Sequence, residues 1–421
     1  MPWCQQCTLH GLLAGTSSLL NLTRKCTQQQ PQLGKEKLAA SPLLEWAQKQ
    51  RRHRPLKVSC ARPAQKSFAP VIRGTLFAKT AISPPRLPSS VPLAFRPHGA
   101  SEVSKTIQIL VSGGHVFALR SGGHGTSLGG SNIDGGITLD LGLLDWTRVV
   151  ENSQSADGGQ EFAALVDIGP GARWRDAYAA LDKHGLMVAG GREGSVGVGG
   201  LLLGGGISFL SGTRGLACDN VAAFKVVLAD GRIVQASKTA NADLFWALKG
   251  STINFGIVTN IRMQAVKSRP VWGGLTMMSP QTIPQAAEAL VDFTSRVNED
   301  PDSSLLCITE YRPESKEIAL PAYLVQTAGV ENAPAYSRWL QLPSTHKFFA
   351  KYTFAQASGN RSMPDGYQST DEDLNLDWEY INYADETQDP LGSYGAETVK
   401  KLKEISQRCS DILVFIYALI V

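Results

Sequence analysis

The chain has 421 residues, 43% of them hydrophobic, enough for two domains and a large core. Its net charge is only +4, but residues 1–88 carry 14 Lys or Arg against Glu36 and Glu45, while the remaining 333 residues carry 27 basic and 35 acidic side chains. The basic leader lacks a stacking aromatic pattern, which argues against an RNA-binding arm and against nucleic acid as a partner.

Residues 1–88 are rich in Gln, Pro, Arg and Ser around Arg51-Arg52-His53-Arg54. Such a stretch cannot bury enough apolar surface to offset its ordering entropy and is expected to be a disordered leader. Its apolar segment Leu9 to Leu22 is broken by Gly, Thr, Ser and Asn, and the positive residues follow it, the reverse of a secretory signal. An acid-poor, Arg-rich start also fits a transit peptide, so location is left open. The seven cysteines are scattered; Cys4, Cys7 and His10 lack both the strand of a redox site and a fourth metal ligand, and no metal is expected.

Val116 to Leu119 reads as a short buried strand opening into Arg120-Ser121-Gly122-Gly123-His124-Gly125-Thr126-Ser127, followed by Gly129-Gly130-Ser131-Asn132-Ile133-Asp134-Gly135-Gly136. Successive glycines expose consecutive N–H groups that can cradle an anion such as a pyrophosphate, and His124 stands among them as a candidate nucleophile or ligand. The plain alternative is a glycine-rich hairpin with a surface histidine. Ile137 to Leu141 and Leu165 to Ala172 read as strands, and Trp174 to Gly185 has helical spacing. Val196 to Ile207 is a second glycine-dense loop. Phe224 to Val234 reads as two strands about an Asp230-Gly231 turn, Leu244 to Gly250 as a helix end, and Asn254 to Thr259 as a strand.

Val271 to Thr276 then opens a second domain as a strand, with Gly273-Gly274 as a bulge. Ile283 to Val297 is helical after Ser279-Pro280, and Leu305 to Glu310 and Ala319 to Gln326 are strands. Leu342 to Asp377 is polar and unpatterned, which leaves this sheet incomplete. The apolar end Ile412 to Val421 is too short to span a bilayer.

The motifs R-S-G-G-H, N-I-D-G-G, V-G-V-G-G, L-A-C-D-N-V, D-L-F-W-A-L-K-G and N-F-G-I-V-T, followed by Tyr380-Ile381-Asn382-Tyr383-Ala384-Asp385 and Tyr394-Gly395, stand in a family's order. The chain resembles FAD-linked oxidoreductases of the vanillyl-alcohol oxidase superfamily, with a PCMH-type FAD-binding domain, in the berberine-bridge-enzyme-like branch. The resemblance implies an α+β fold: a two-subdomain FAD-binding domain over residues 89–265, a substrate domain of antiparallel sheet backed by helices over 266–375, and a segment returning to the flavin over 376–421.

It also implies roles. His124 would hold FAD covalently at the flavin 8α position, while Arg120, Ser121, Gly122, Gly123, Gly125, Thr126 and Ser127 wrap the pyrophosphate. Val196, Gly197, Gly199, Gly200 and Gly205 would line the isoalloxazine, with Asp219 and Asn220 beside them and Gly256, Ile257 and Val258 toward the adenine. Bicovalent members carry a cysteine where this chain has Glu193, so attachment through His124 alone is implied, with Glu193 turned to solvent. The resemblance implies oxidation of a small alcohol, sugar or secondary metabolite, with dioxygen as electron acceptor. Tyr383 is the first candidate base and Tyr380 the second; on a strand they face opposite sides, so one of them meets the flavin. A flavin-binding protein without turnover and a flavin-pocket cyclase are the alternatives.

Overall fold

A computed structural model describes residues 75–78, 93–125, 129–151, 162–312, 317–359, 380, 382 and 389–409. Thr126, Ser127, Tyr383 and the apolar end lie outside the described residues.

The first sheet joins β1 (Thr75–Ala78), β2 (Leu93–Arg96), β3 (Phe117–Arg120) and β4 (Ile137–Asp140) in the order β1-β2-β4-β3. β2, β4 and β3 run parallel, so their C-terminal ends share one edge. α1 (Ala100–Ser112) covers this sheet with Val103, Ile107 and Leu110, an i, i+4, i+7 stripe packed in one core with Leu139 and Leu141. β1 falls inside the stretch read as a disordered leader: Thr75–Ala78 pairs antiparallel with β2.

The second sheet holds β5 (Thr147–Glu151), β6 (Ala164–Ile168), β7 (Leu186–Val188), β8 (Val221–Val227), β9 (Ile233–Ser237) and β10 (Ile257–Lys267), in the order β5-β6-β10-β8-β9 with β7 on β10. β10 begins three residues later than the sequence pattern suggests and runs for 11 residues as the central strand. Against this sheet pack α2 (Trp174–Asp182), α3 (Val198–Leu203) and α5 (Ala242–Ala247), with α4 (Ser211–Arg214) on the connection. The second glycine-dense segment is therefore not a loop throughout, because α3 occupies its middle. Val198, Leu202 and Leu203 bury one side of that turn and override the poor helix propensity of glycine.

The third sheet joins β11 (Val271–Met278), β12 (Ser303–Cys307), β13 (Glu310–Arg312), β14 (Glu317–Gln326) and β15 (His346–Tyr352) in the order β12-β14-β11-β15, with β13 on β14. α6 (Ile283–Ser295) and α7 (Ser337–Leu340) cover one face, where Trp272 stacks on Phe349 with centroids 4.9 Å apart and Trp339 Nε1 donates to Thr276 Oγ1 at 3.1 Å. The Gly273-Gly274 pair forms no bulge: β11 keeps unbroken register with both neighbours. These glycines serve close approach instead, since a Cβ on Gly274 would stand 1.8 Å from the Phe348 carbonyl oxygen. β15 also extends the sheet in the segment read as unpatterned. After it come α8 (Phe354–Gly359) and α9 (Ala396–Cys409).

Candidate functional site

Arg120 and Asp140 sit opposite each other at the C-terminal ends of β3 and β4. Arg120 Nη2 meets Asp140 Oδ2 at 2.9 Å, and its Nη1 donates to Asn132 Oδ1 at 3.0 Å. Both charged side chains are only about one-tenth exposed. Asp140 Oδ1 also accepts the Gly142 N–H at 2.9 Å, and Arg96 Nε lies 3.5 Å from Oδ2. Arg120 thus closes the neck of the glycine loop; its charge is answered by Asp140 and is not held in reserve for a ligand. Beyond it, Gly123 adopts φ +68°, a conformation that suits glycine, and His124 and Gly125 are exposed at the loop's rim.

The two glycine segments meet backbone to backbone. A Cβ on Gly122 would come within 2.5 Å of Gly197 N and Cα, and a Cβ on Gly197 would meet Gly122 equally closely. Ser121 Oγ donates to the Pro170 carbonyl at 2.5 Å, and a Cβ on Gly199 would stand 3.0 Å from both. Gly200 points outward with nothing near its Cβ position, and Val196 is half-buried. This seam of bare backbone, closed to any side chain, fixes the two glycine segments against each other, and the exposed backbone beside it at Gly125 and Gly200 leaves room for a phosphorylated cofactor to approach.

Sequence reasoning missed Arg173. It precedes α2, bridges Gly197 through its backbone, and donates from Nη1 to the Ser195 carbonyl. That Nη1 also lies 3.6 Å from the Cβ position of Gly122, so a guanidinium stands where the two segments touch. The only sequence signal was its place just after the Gly169-Pro170-Gly171 turn. Glu193, expected in solvent, is half-buried instead, because its Oε1 accepts the Ser195 N–H at 2.9 Å.

At the far end, Gly205 and Gly206 adopt φ +99° and +86°. Their turn presents the Gly206 and Ile207 N–H groups to Tyr380 Oη at 2.9 and 3.1 Å. Asn382 Nδ2 lies 2.9 Å from the same oxygen and 3.0 and 3.1 Å from the Leu201 and Gly204 carbonyls. The structure thus brings Tyr380 to the glycine segment. Tyr394 donates to the Gly250 carbonyl at 2.8 Å, and burial, with Cys218 and Tyr380 nearby, pushes its phenol up to about 12. Burial likewise pushes the Cys218 thiol up to about 12, which keeps it an inert core residue.

Asp219 and Asn220 shape their own turn: Asp219 Oδ2 accepts the Leu216 N–H at 2.9 Å, and Asn220 Nδ2 donates to the Arg214 and Leu216 carbonyls at 3.0 Å. Gly256 adopts φ +139° against Val226, while Ile257 and Val258 are buried at 0% and 2% exposure. Those two side chains belong to the core and offer no surface to a cofactor.

The free face of the third sheet carries a cleft of about 280 Å³ lined by Val271, Gly273, Leu275, Tyr323, Phe348 and Tyr352, with no charged side chain among its lining residues. α8 links cleft and cradle. Ala357 lines the cleft, Phe354 meets Tyr178 and Phe209 edge-on at 5.1 and 6.3 Å, and the Ser358 carbonyl accepts the Gly194 N–H at 3.1 Å. Among the described residues, no His, Cys, Asp or Glu cluster could hold a metal, and no helix is long and apolar enough to cross a membrane.

Residues 91–237 match the family model of the FAD binding domain. The chain thus carries an FAD binding domain. It is 41% identical over 219 residues to an FAD-dependent monooxygenase of Aspergillus calidoustus, covering 51% of this chain and 40% of the relative. It is 35% identical over 277 residues to another of Emericella nidulans, covering 65% and 56%. The chain thus spans about half the length of these relatives. In fold it is similar to 6-hydroxy-D-nicotine oxidase of Arthrobacter nicotinovorans, with a TM-score of 0.59, 24% identity, and 70% and 66% of the two chains covered. It is also similar to the glucooligosaccharide oxidase of Acremonium strictum, whose FAD is described as 6-S-cysteinyl, 8α-N1-histidyl, with a TM-score of 0.50, 24% identity, and 62% and 53% covered. FAD is accordingly the cofactor that this domain implies, and the exposed glycine backbone beside the Gly122–Gly197 contact suits it.

Proposed function

We propose that the chain is an FAD-linked oxidoreductase that oxidises a small, largely uncharged organic molecule, with FAD held through His124 and dioxygen as electron acceptor. The observation that carries this reading is the backbone seam between Gly122 and Gly197, with His124 at its exposed rim. Bound FAD supplies a two-electron acceptor for a hydride from substrate.

The chain's own residues supply binding, orientation and proton handling. Gly122, Gly197 and Gly199 hold backbone close to the cofactor without side chains. The aromatic face at Tyr323, Phe348 and Tyr352 receives the apolar part of the substrate and excludes water. Tyr380 is the group we assign to take the substrate proton. The Gly206 and Ile207 N–H groups and the Asn382 amide converge on its oxygen and hold it as the phenolate, its own proton released to water beforehand, so that it can accept the substrate's. Asn382 holds the phenol in place: a Cβ on Gly204 would stand 1.9 Å from Asn382 Oδ1, so glycine at 204 is what admits the amide. Tyr383, the first candidate from sequence, lies outside the described residues.

The test is anaerobic stopped-flow with a substrate found by screening. Tyr380→Phe keeps the ring and loses the hydroxyl, so flavin content should hold while reduction slows by about 10²–10⁴-fold. Reoxidation by dioxygen should change little. Equal reduction rates in Tyr380→Phe and wild type would remove Tyr380 from the reaction. A flavin that no substrate reduces would favour a binding protein without turnover.

A further inference from the structure

Arg120 was the cation expected at the pyrophosphate, and its charge is answered by Asp140 at 2.9 Å. Arg96 shares that same carboxylate at 3.5 Å. Arg173 differs from both. Among the described residues no carboxylate lies within ion-pair distance of its guanidinium, and the nearby Asp176 pairs instead with Arg175, at 3.8 Å. Glu193, the acid just before the second glycine segment, accepts the Ser195 N–H at Oε1. Arg173 itself is half-buried, and one amine is fixed by the Ser195 carbonyl. Its head group is therefore oriented but not neutralised, 3.6 Å from the bare Cβ position of Gly122, while its backbone bridges to Gly197.

We infer that Arg173 is a cofactor-binding residue whose guanidinium pairs with the diphosphate of FAD at the seam between the two glycine segments. A half-buried cation without a counter-charge is costly, and an anion seated on the seam supplies that charge. The planar fork matches phosphate oxygens, and one arm anchored on Ser195 leaves less side-chain freedom to lose on binding. Arg120 and Asp140 then shape the loop, while Arg173 supplies its attraction for the anion. The inference rests on FAD occupying this cradle.

The test uses full-length His124→Ala protein stripped of flavin, titrated with FAD and with riboflavin, which has the ring and no phosphate. Charge-assisted bonds of this kind are worth about 10–100-fold in affinity. Arg173→Gln should weaken FAD by about that factor, leave riboflavin unchanged, and flatten the salt dependence of FAD binding. Arg173→Lys should recover part of the FAD affinity. If Arg173→Gln leaves the FAD-to-riboflavin ratio at its parent value, the inference is overturned. Equal loss of both ligands with a lowered melting temperature would also overturn it, and would make Arg173 a strut for Ser195. A parent protein that binds neither flavin would overturn the cradle reading itself, and this inference with it.

Discussion

Asp167 and Arg262 face each other across the central strand pair, with Nε–Oδ1 at 2.8 Å and Nη2–Oδ2 at 2.9 Å. Burial raises the Asp167 carboxyl, but hydrogen bonds from Arg262 and Asn260 and the charges of Arg262 and Arg148 outweigh it and hold it below its ordinary value. A lowered folded-state value stabilises above the unfolded carboxylate range, near pH 4, and that contribution fades as pH falls through the folded value. Asp167→Asn should therefore lower the melting temperature at pH 7, by an amount reflecting about 1 kcal/mol or less for this partly exposed pair. The gap from wild type should close on acidification below about pH 4. A gap that stays constant from pH 7 to pH 3 would mean the pair contributes nothing through charge.

The same dependence on neighbours explains which residue roles were legible beforehand. His124 could be singled out because an imidazole among glycines is conspicuous. Arg120 could not be told from Arg173, because Asp140 and Asn132 reach Arg120 only through strand pairing and loop closure. Tyr380 and Tyr383 are indistinguishable by spacing, and it is the Gly206 and Ile207 amides that distinguish Tyr380.

At the scale of elements, the seam between the glycine segments makes a paired prediction. Gly197→Ala forces its Cβ to within 2.5 Å of Gly122 backbone, an overpacking expected to cost about 1–3 kcal/mol. Bound flavin per protein should fall sharply along with melting temperature. Gly200→Ala meets nothing within 4 Å, and alanine suits a helix, so flavin content should hold and stability should stay level or rise slightly. Measuring flavin content and melting temperature in both variants checks the seam; full flavin loading in Gly197→Ala would contradict it. Elements with strong periodicity were legible: α2, β8, β9 and α6 stand within a few residues of their expected places. α3 was hidden by its own glycines. β15 was hidden because an edge strand with Lys347, Phe348 and Lys351 exposed has no clean alternation of burial. For Gly273-Gly274, composition marks a special backbone position, and only the neighbouring strands say whether it is a bulge or a close contact.

At the scale of the whole molecule, motif order conveyed the α+β class and the cofactor, because glycine segments at fixed places along the chain reflect a shared backbone path. How the third sheet reaches that cofactor half was not legible. The link is α8, where Phe354 packs between Tyr178 and Phe209 and Ser358 holds Gly194, contacts between residues more than 140 positions apart. That link gives the uncharged cleft its place in the proposed reaction and ties the proposed substrate side to the seam.

The central claim is that this seam holds FAD and that His124 fastens it. The direct measurement is the absorption spectrum of purified protein, followed by acid precipitation of wild type and His124→Ala. The account predicts a flavin spectrum in both, a yellow pellet from wild type, and FAD released to the supernatant from His124→Ala. A colourless wild-type pellet, or a His124→Ala pellet that stays yellow, would contradict the attachment, and a protein with no flavin spectrum would contradict the cofactor assignment.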